Sequence, residues 1–294
     1  MQGVNLYQKT DKGKFLVLKT DKDITLMAFS HSKNTFFLYE KGTDFVLNLD
    51  KNGFLNVWKK SKDFKNLVGL ACSNNCLFAL NDKCEILGVD IFSKTKYDVV
   101  GTRASSQLSK KIGGKFCTDS SNLFYDPFRD FLFVKVPRRR KFATIDGMGH
   151  IYWEFGDGEK EFTIGSDSMN CGFSNPFSIS SLKTGFVAIS DKDSHAVFLF
   201  KEKKNHHHEV CKVIGNPIRC GWKAGKLEDA LLNNPSFLYG HKKYIFVVDN
   251  EKWIRKIDLE KMTIEPEAET NAKITNLFCN ANNEVYWTER ALTH

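Results

Sequence analysis

Long apolar runs are missing from this sequence. No stretch approaches the ~18 consecutive apolar residues that a membrane-crossing helix needs, so no membrane span is expected. Proline is scarce, six in 294 residues, and no Gly-X-Y period runs through the chain, which excludes fibrous classes. The opening Met1–Lys14 carries no apolar segment of the kind a secretory leader has. Cysteine is thin for the length: Cys72, Cys76, Cys84, Cys117, Cys171, Cys211, Cys220 and Cys279 fall far below the density of a disulfide-stapled scaffold. Asparagine never stands in a glycosylation sequon, since Asn234-Pro235-Ser236 fails on its proline. These absences together point to reduced thiols and an intracellular, cytoplasmic setting. Cys72 and Cys76 lack the paired knuckles of a zinc site and read as two ends of a short turn. Neither a Gly-X-Ser-X-Gly elbow nor a phosphate-cradling P-loop occurs, so no catalytic residue, metal or cofactor is assigned.

What is present is a soluble, globular composition: 41% hydrophobic and 27% charged residues, with a net charge of +8. Phenylalanine is abundant, 25 against 20 glycines, and phenylalanine favours strands and large cores. Pairs of short apolar runs joined by polar turns recur along the chain. Phe36–Tyr39 leads through a turn to Phe45–Asp50, Leu77–Leu80 to Ile86–Asp90, and Leu132–Val136 to Phe142–Asp146. Phe186–Ser190 leads to Ala196–Phe200, Ile245–Asp249 to Ile254–Asp258, and a sixth copy begins at Val285–Glu289. The copies start at Phe36, Leu77, Leu132, Phe186, Ile245 and Val285, at intervals of 41, 55, 54, 59 and 40 residues. Each interval has room for about four short strands. Strand ends in Val-Gly or Ile-Gly recur at Gly101, Gly165 and Gly215, and new strands open near Asn175-Pro176 and Asn234-Pro235. One helix-like stretch, Gly225–Leu232, is about two turns long.

Repeats of this length with four strands each are propeller blades. The expected fold is all-β: a six-bladed β-propeller of four-stranded antiparallel blades, one domain over residues 1–294. The blades fall near 24–66, 67–121, 122–172, 173–215, 216–272, and 273–294 joined by 1–20. The last blade has only its inner and second strands at the C-terminal end, so the runs Val4–Thr10 and Lys14–Lys19 supply its outer two.

Residues 213–258 resemble an NHL repeat through Gly215, Gly221, Gly225, Ala230, Asn234, Pro235, Val248, Asp249, Ile254, Arg255, Lys256 and Ile257. Residues 175–200 resemble a more diverged copy through Asn175, Pro176, Ser190, Asp191, Val197 and Phe200. The resemblance implies a six-bladed propeller. Its functions span protein-binding platforms, RNA-binding modules and relatives with a metal in the channel.

In each blade the strands are called a to d from the axis outward. Propeller geometry puts the b–c loops and the blade-to-blade d–a loops on one face. Arg138, Arg139, Arg140 and Lys141 form the densest charge run, in a b–c loop. Arg103, Lys110, Lys111 and Lys115, then Arg219, Lys223 and Lys226, lie in d–a loops, with Trp222, Trp253 and Phe116 beside them. This basic face is the expected recognition surface for a protein or peptide, with Arg138, Arg139, Arg140, Lys141, Arg219, Trp222, Lys223 and Trp253 as its contact residues. RNA is the alternative partner, and a metal-dependent hydrolase or lyase with a channel site is a third reading. A small-molecule substrate is not expected. His206-His207-His208 reads as an exposed hairpin turn, because adjacent strand residues point to opposite faces and three in a row cannot ligate one ion. Asp50, Asp90, Asp146, Asp249 and Asp258 read as turn-closing residues at strand ends.

Overall fold

The structure is a computed structural model that describes residues 3–10, 12–50, 52–100, 122–136, 139–146, 149–159, 161, 163–165, 167–203 and 208–290. The N-terminal strands are β1 (Val4–Thr10) and β2 (Gly13–Thr20). Blade one is β3 (Ile24–Ser30), β4 (Thr35–Glu40), β5 (Phe45–Leu49) and β6 (Leu55–Lys60). Blade two is β7 (Leu67–Cys72), β8 (Cys76–Asn81), β9 (Ile86–Asp90) and β10 (Lys96–Val100). Blade three is β11 (Leu123–Asp126), β12 (Phe131–Val136), β13 (Lys141–Ile145) and β14 (Ile151–Phe155). Blade four is β15 (Pro176–Ser181), β16 (Phe186–Asp191), β17 (Ala196–Glu202) and β18 (His208–Gly215). In blade five a short β19 (Gly225–Lys226) flanks β20 (Leu238–His241), β21 (Tyr244–Asp249), β22 (Trp253–Asp258) and β23 (Thr263–Glu269). Blade six joins β24 (Ile274–Cys279) and β25 (Val285–Arg290) to the N-terminal pair, in the order β2-β1-β25-β24.

All six sheets are antiparallel, and the fold is a six-bladed β-propeller. The first five repeated hairpins of the sequence are b–c pairs, and the sixth copy is the b strand β25, whose c position is taken by β1. The closure is two strands from each end, with Leu6 opposite Thr288 and Tyr7 opposite Trp287.

Blades stack face to face, so their middle strands are buried on both sides and read as continuous apolar runs rather than alternating ones. Six apolar layers fill the six gaps. Phe37, Tyr39, Leu70 and Leu77 join blades one and two, and Phe78, Leu80, Val134 and Ile145 join blades two and three. The abundant phenylalanine concentrates in the next gap, where Phe133, Phe142, Phe155, Phe173, Phe198 and Phe200 are all buried. Val4, Leu6 and Leu18 close the ring against Ile24, Phe29 and Phe36 of blade one. Near the axis the inner strands crowd: a Cβ on Gly69 would stand 2.6 Å from that of Leu123 in the next blade.

Three sequence readings change. The helix-like stretch is a single 3-10 turn, Leu227–Asp229, because its hydrogen bonds serve the d–a loop instead of a helix. Gly165 does not end a strand; β14 stops at Phe155, and Gly165 lies in the loop that follows, beside an isolated Thr163–Gly172 bridge. His208 is not in an exposed turn. It opens β18, is buried, packs 5.1 Å from the Phe155 ring, and meets the Arg129 guanidinium at 3.1 Å; His206 and His207 lie outside the described residues.

The seven described cysteines are free thiols, and Cys72 and Cys76 do bracket the Ser73–Asn75 turn. Only Cys211 and Cys220 among them are exposed. Alkylation of the native protein, read by peptide mass mapping, is expected to label Cys211 and Cys220 well before Cys76, Cys84, Cys171 and Cys279. In denaturant without reductant all eight thiols should titrate; a reproducible count below eight means a disulfide.

Candidate functional site

Two cavities lie along the propeller axis. Inner strands run from the b–c/d–a face to the opposite face, so their first residues surround one mouth and their last residues the other. The upper cavity, about 630 Å³, opens on the b–c/d–a face. Its charged lining is Lys135 and Arg140 from blade three, Lys192 and Asp193 from blade four, Glu251 from blade five, and Lys273 and Arg290 from blade six. Five cations thus meet two carboxylates. Both carboxylates already have local partners: Asp193 accepts from the Asn175 side-chain amide at 3.2 Å, and Glu251 pairs with Lys273 at 2.5 Å. Phe177 and Phe237 form the floor, edge to face at 4.9 Å between centroids, and they line the lower cavity too. The Lys135 and Lys192 ammonium groups sit 4.5 and 4.0 Å from the Phe177 ring centroid, holding positive charge over its π face.

The lower cavity, about 380 Å³, is lined by the inner strands of all six blades. Its walls are mainly apolar, from Met27, Leu70, Leu123, Ile179, Leu277 and Phe278. Its rim holds His31, Lys183, Lys242 and His241. The His31 and His241 rings stack at 6.1 Å, and His31 Nε2 is 2.8 Å from the Tyr239 hydroxyl. Burial holds both imidazoles below their ordinary pKa. Lys183 adds to this for His31, and Lys242, His31 and Lys183 add to it for His241. Cys72 also lines the cavity, and burial pushes its thiol up to about 12, so it is a protonated thiol at neutral pH. Among the described residues the lining contains no carboxylate, and no group of three or more His, Cys, Asp or Glu stands together as a metal-binding set.

The predicted contact residues fall into two places. Arg138 lies outside the described residues, as do Arg103, Lys110, Lys111, Lys115 and Phe116. Arg139 is exposed in the b–c turn of blade three, and Arg140 reaches from it to donate through Nε to the Ser174 carbonyl at 3.0 Å. Lys141 opens β13, with its stem lying against Gly158. The second group gathers around a buried ion pair. Arg255 and Asp249, both fully buried, meet at 3.1 Å. The Arg255 guanidinium also donates to the Leu231 and Lys223 carbonyls at 2.6 and 2.7 Å, and its Cζ lies 4.9 Å from the Trp222 ring centroid. Trp222 and Trp253 pack at 5.8 Å. Asp249 Oδ1 accepts the Asn233 N–H at 2.6 Å. Arg219 stands in a turn closed by the Asn216 side chain, and exposed pairs of Lys223 with Asp229 and Lys226 with Glu228 offset part of the local charge. Arg219, Trp222, Lys223 and Trp253 share the face with the upper mouth but do not line it.

The turn-closing reading holds for Asp50, Asp90, Asp146 and Asp258, each accepting backbone N–H groups two to four residues on. Asp249 does something else. With Asp191, which accepts the Ser174, Asn175 and Ser194 N–H groups, it fastens a d–a loop to the end of a b strand. Sequence reasoning missed Lys135, Lys192, Lys273, Arg290 and the whole lower rim. The available signal was positional: Lys273 and the lower-rim residues stand at the ends of inner strands, and Lys135, Lys192 and Arg290 at the ends of b strands, whatever their local motif.

No family model matches the chain, and no curated protein matches it. Solved structures do. The chain is similar to an auxiliary nutrient binding protein from Bacteroides thetaiotaomicron at 9% identity, covering 99% of this chain and 77% of that one, with a TM-score of 0.60. It is similar to a gluconolactonase from Xanthomonas campestris at 10% identity, covering 95% and 90%, with a TM-score of 0.61. It is also similar to virginiamycin B lyase from Staphylococcus aureus at 10% identity, covering 95% and 86%, with a TM-score of 0.55. At such identities the likeness is one of fold. Among the described residues no helix is long and apolar enough to cross a membrane.

Proposed function

We propose that this chain is a non-catalytic, NHL-type binding propeller that works in the cytoplasm and receives an acidic segment of a protein partner at the upper mouth of its channel. The observation that carries this reading is the convergence of Lys135, Arg140, Lys192, Lys273 and Arg290 from three blades on one concave mouth, with Asp193 and Glu251 the only carboxylates in its lining among the described residues. Concave sites with convergent charge favour an extended, oppositely charged segment, because desolvation inside the cleft strengthens each contact. The lactonase and lyase named above keep a catalytic reading in view. The two carboxylates of the upper mouth are engaged by the Asn175 amide and by Lys273, which favours the binding reading over it. RNA is the weaker partner. Trp222 of this face has the Arg255 guanidinium against its ring and packs on Trp253, so its stacking contacts already serve the loop's own packing.

The test compares a fluorescent oligoglutamate peptide with single-stranded oligouridine by anisotropy. Lys192→Gln, Lys273→Gln and Arg290→Gln in one chain should cost about 1 kcal/mol or less each, since Lys192 lies over Phe177 and Lys273 pairs with Glu251 near the surface. The triple variant is expected to lose at least tenfold in peptide affinity. Preferential binding of oligouridine, with a log–log salt slope that falls by about 0.7 for each lost charge, would assign the face to RNA. Unchanged peptide binding would overturn the mouth as the docking site.

A further inference from the structure

We infer that the lower cavity is a separate binding site for a small amphiphilic monocarboxylate, its apolar body along the channel and its carboxylate at the rim of His31, Lys183, Lys242 and His241. This does not depend on the reading of the upper mouth, and it departs from the expectation that no small molecule is bound.

Size and shape come first. About 380 Å³ is within the range of small-molecule sites, and inner strands of all six blades wall it, so it is a built-in feature of the ring and not a surface dent. Its upper end is closed by the Phe177–Phe237 pair, which leaves the opposite face as the entrance. Its walls are mainly apolar, with Met27, Leu70, Leu123, Ile179, Leu277 and Phe278 in the lining, and such a surface gains free energy when a hydrocarbon displaces water.

Charge in the lining is confined to the entrance and, among the described residues, is of one sign. Lys183 and Lys242 are exposed there, and the lining offers no carboxylate among the described residues to neutralise them. Lys242 Nζ donates to the Ala281 carbonyl at 3.1 Å, which keeps the ammonium group over the rim. His241 supplies an independent observation. Its Nε2 is buried and has no hydrogen-bond partner, and in the Nε2–H tautomer it is a donor that a carboxylate oxygen can accept from. A buried polar atom left unmet costs free energy that an entering polar head group recovers. His31 already has the Tyr239 hydroxyl, so the open position belongs to His241. An apolar channel with a cationic, partner-seeking rim selects a molecule with the same division: a hydrocarbon body and one carboxylate. An alkylammonium ion of equal length meets like charge at the rim, and an alcohol satisfies the nitrogen but not the lysines.

Titration calorimetry of the full chain with octanoate, decanoate, dodecanoate, decan-1-ol and decylammonium tests this. The carboxylates should bind one per chain, each added methylene tightening binding about fourfold. Decan-1-ol should bind at least tenfold more weakly than decanoate, and decylammonium not measurably. The ring proton signals of His31 and His241 should shift with decanoate. The double variant Lys183→Gln, Lys242→Asn changes two exposed residues, with asparagine chosen because Lys242 has φ 53°. It should lose at least tenfold for decanoate and nothing for decan-1-ol. The upper-mouth triple variant should bind decanoate as the parent does, so the two sites fail or stand separately. Absence of binding by all three carboxylates, equal binding of decanoate and decylammonium, or a double variant that binds decanoate unchanged would each overturn the assignment.

Discussion

Removing residues 1–20 should abolish the soluble monomer. Strand β1 pairs with β25 from Val4 opposite Arg290 to Gln8 opposite Tyr286, and β2 pairs with β1 outside it. Without them β25 becomes a bare edge whose unpaired N–H and C=O groups template association with other chains. The loss also strips Val4, Leu6 and Leu18 from the layer against blade one, and uncovers Trp287, which stacks on Tyr7 at 5.9 Å. Two anchoring ion pairs go too, Lys9 with Glu267 and Lys14 with Glu289. Size-exclusion chromatography should show aggregates, and a peptide of residues 1–20 added during refolding should restore monomer. A milder version of the same test is Leu6→Ala, a fully buried leucine whose truncation should cost about 2–5 kcal/mol in urea unfolding. A truncated chain that stays monomeric with an unchanged melting midpoint would refute the closure.

Arg255→Ala should be the most damaging single substitution on the b–c/d–a face. It leaves Asp249 buried beside an empty space and frees the Leu231 and Lys223 carbonyls, with an expected loss of about 3–5 kcal/mol near neutral pH. The loss should depend on pH. Burial raises the Asp249 pKa, while the Asn233 N–H and Arg255 pull it down; taking Arg255 away pushes it higher still. A carboxyl whose folded pKa lies above its unfolded value keeps its proton longer in the folded state. Stability therefore falls as pH rises from the unfolded value towards the folded one. Urea unfolding should show the smallest deficit for Arg255→Ala near pH 4 and a growing deficit towards pH 7.5. Arg255→Lys should fall between, because one ammonium cannot reproduce the planar fork that reaches two carbonyls and a carboxylate at once. A deficit that is small and flat with pH would mean that the pair does not hold the loop.

Both of these expectations trace to residues that were legible beforehand, though to different depths. The hairpins at Phe36, Leu77, Leu132, Phe186, Ile245 and Val285 appear in the structure as b–c strand pairs or, for the last, as a b strand. Turn chemistry and apolar runs are local, and each blade must bury both faces, so every blade repeats the same pattern. The Asp-Lys-Gly turn after Thr10 likewise marked a hairpin, and a half-built last blade implied where it had to go. Asp249 and Arg255 were visible as parts of a repeat, but their meeting as a buried pair depends on the b–c hairpin bringing position 249 beside 255 under a loop that crosses from the preceding blade.

The all-β class, the six-fold repetition and the two-plus-two closure are written in the chain itself, because strand period and turn residues act over a few neighbours. The sequence also marked the Arg139–Lys141 turn as densely charged. Which charges act together depends on the closed ring. Lys135, Lys192, Lys273 and Arg290 are unremarkable in their own segments, and His31 and His241 are 210 positions apart, yet the ring brings each set to one end of the axis. Closure of a propeller converts position along an inner strand into height along a channel. A residue's neighbours there come from other blades, and no local pattern records them.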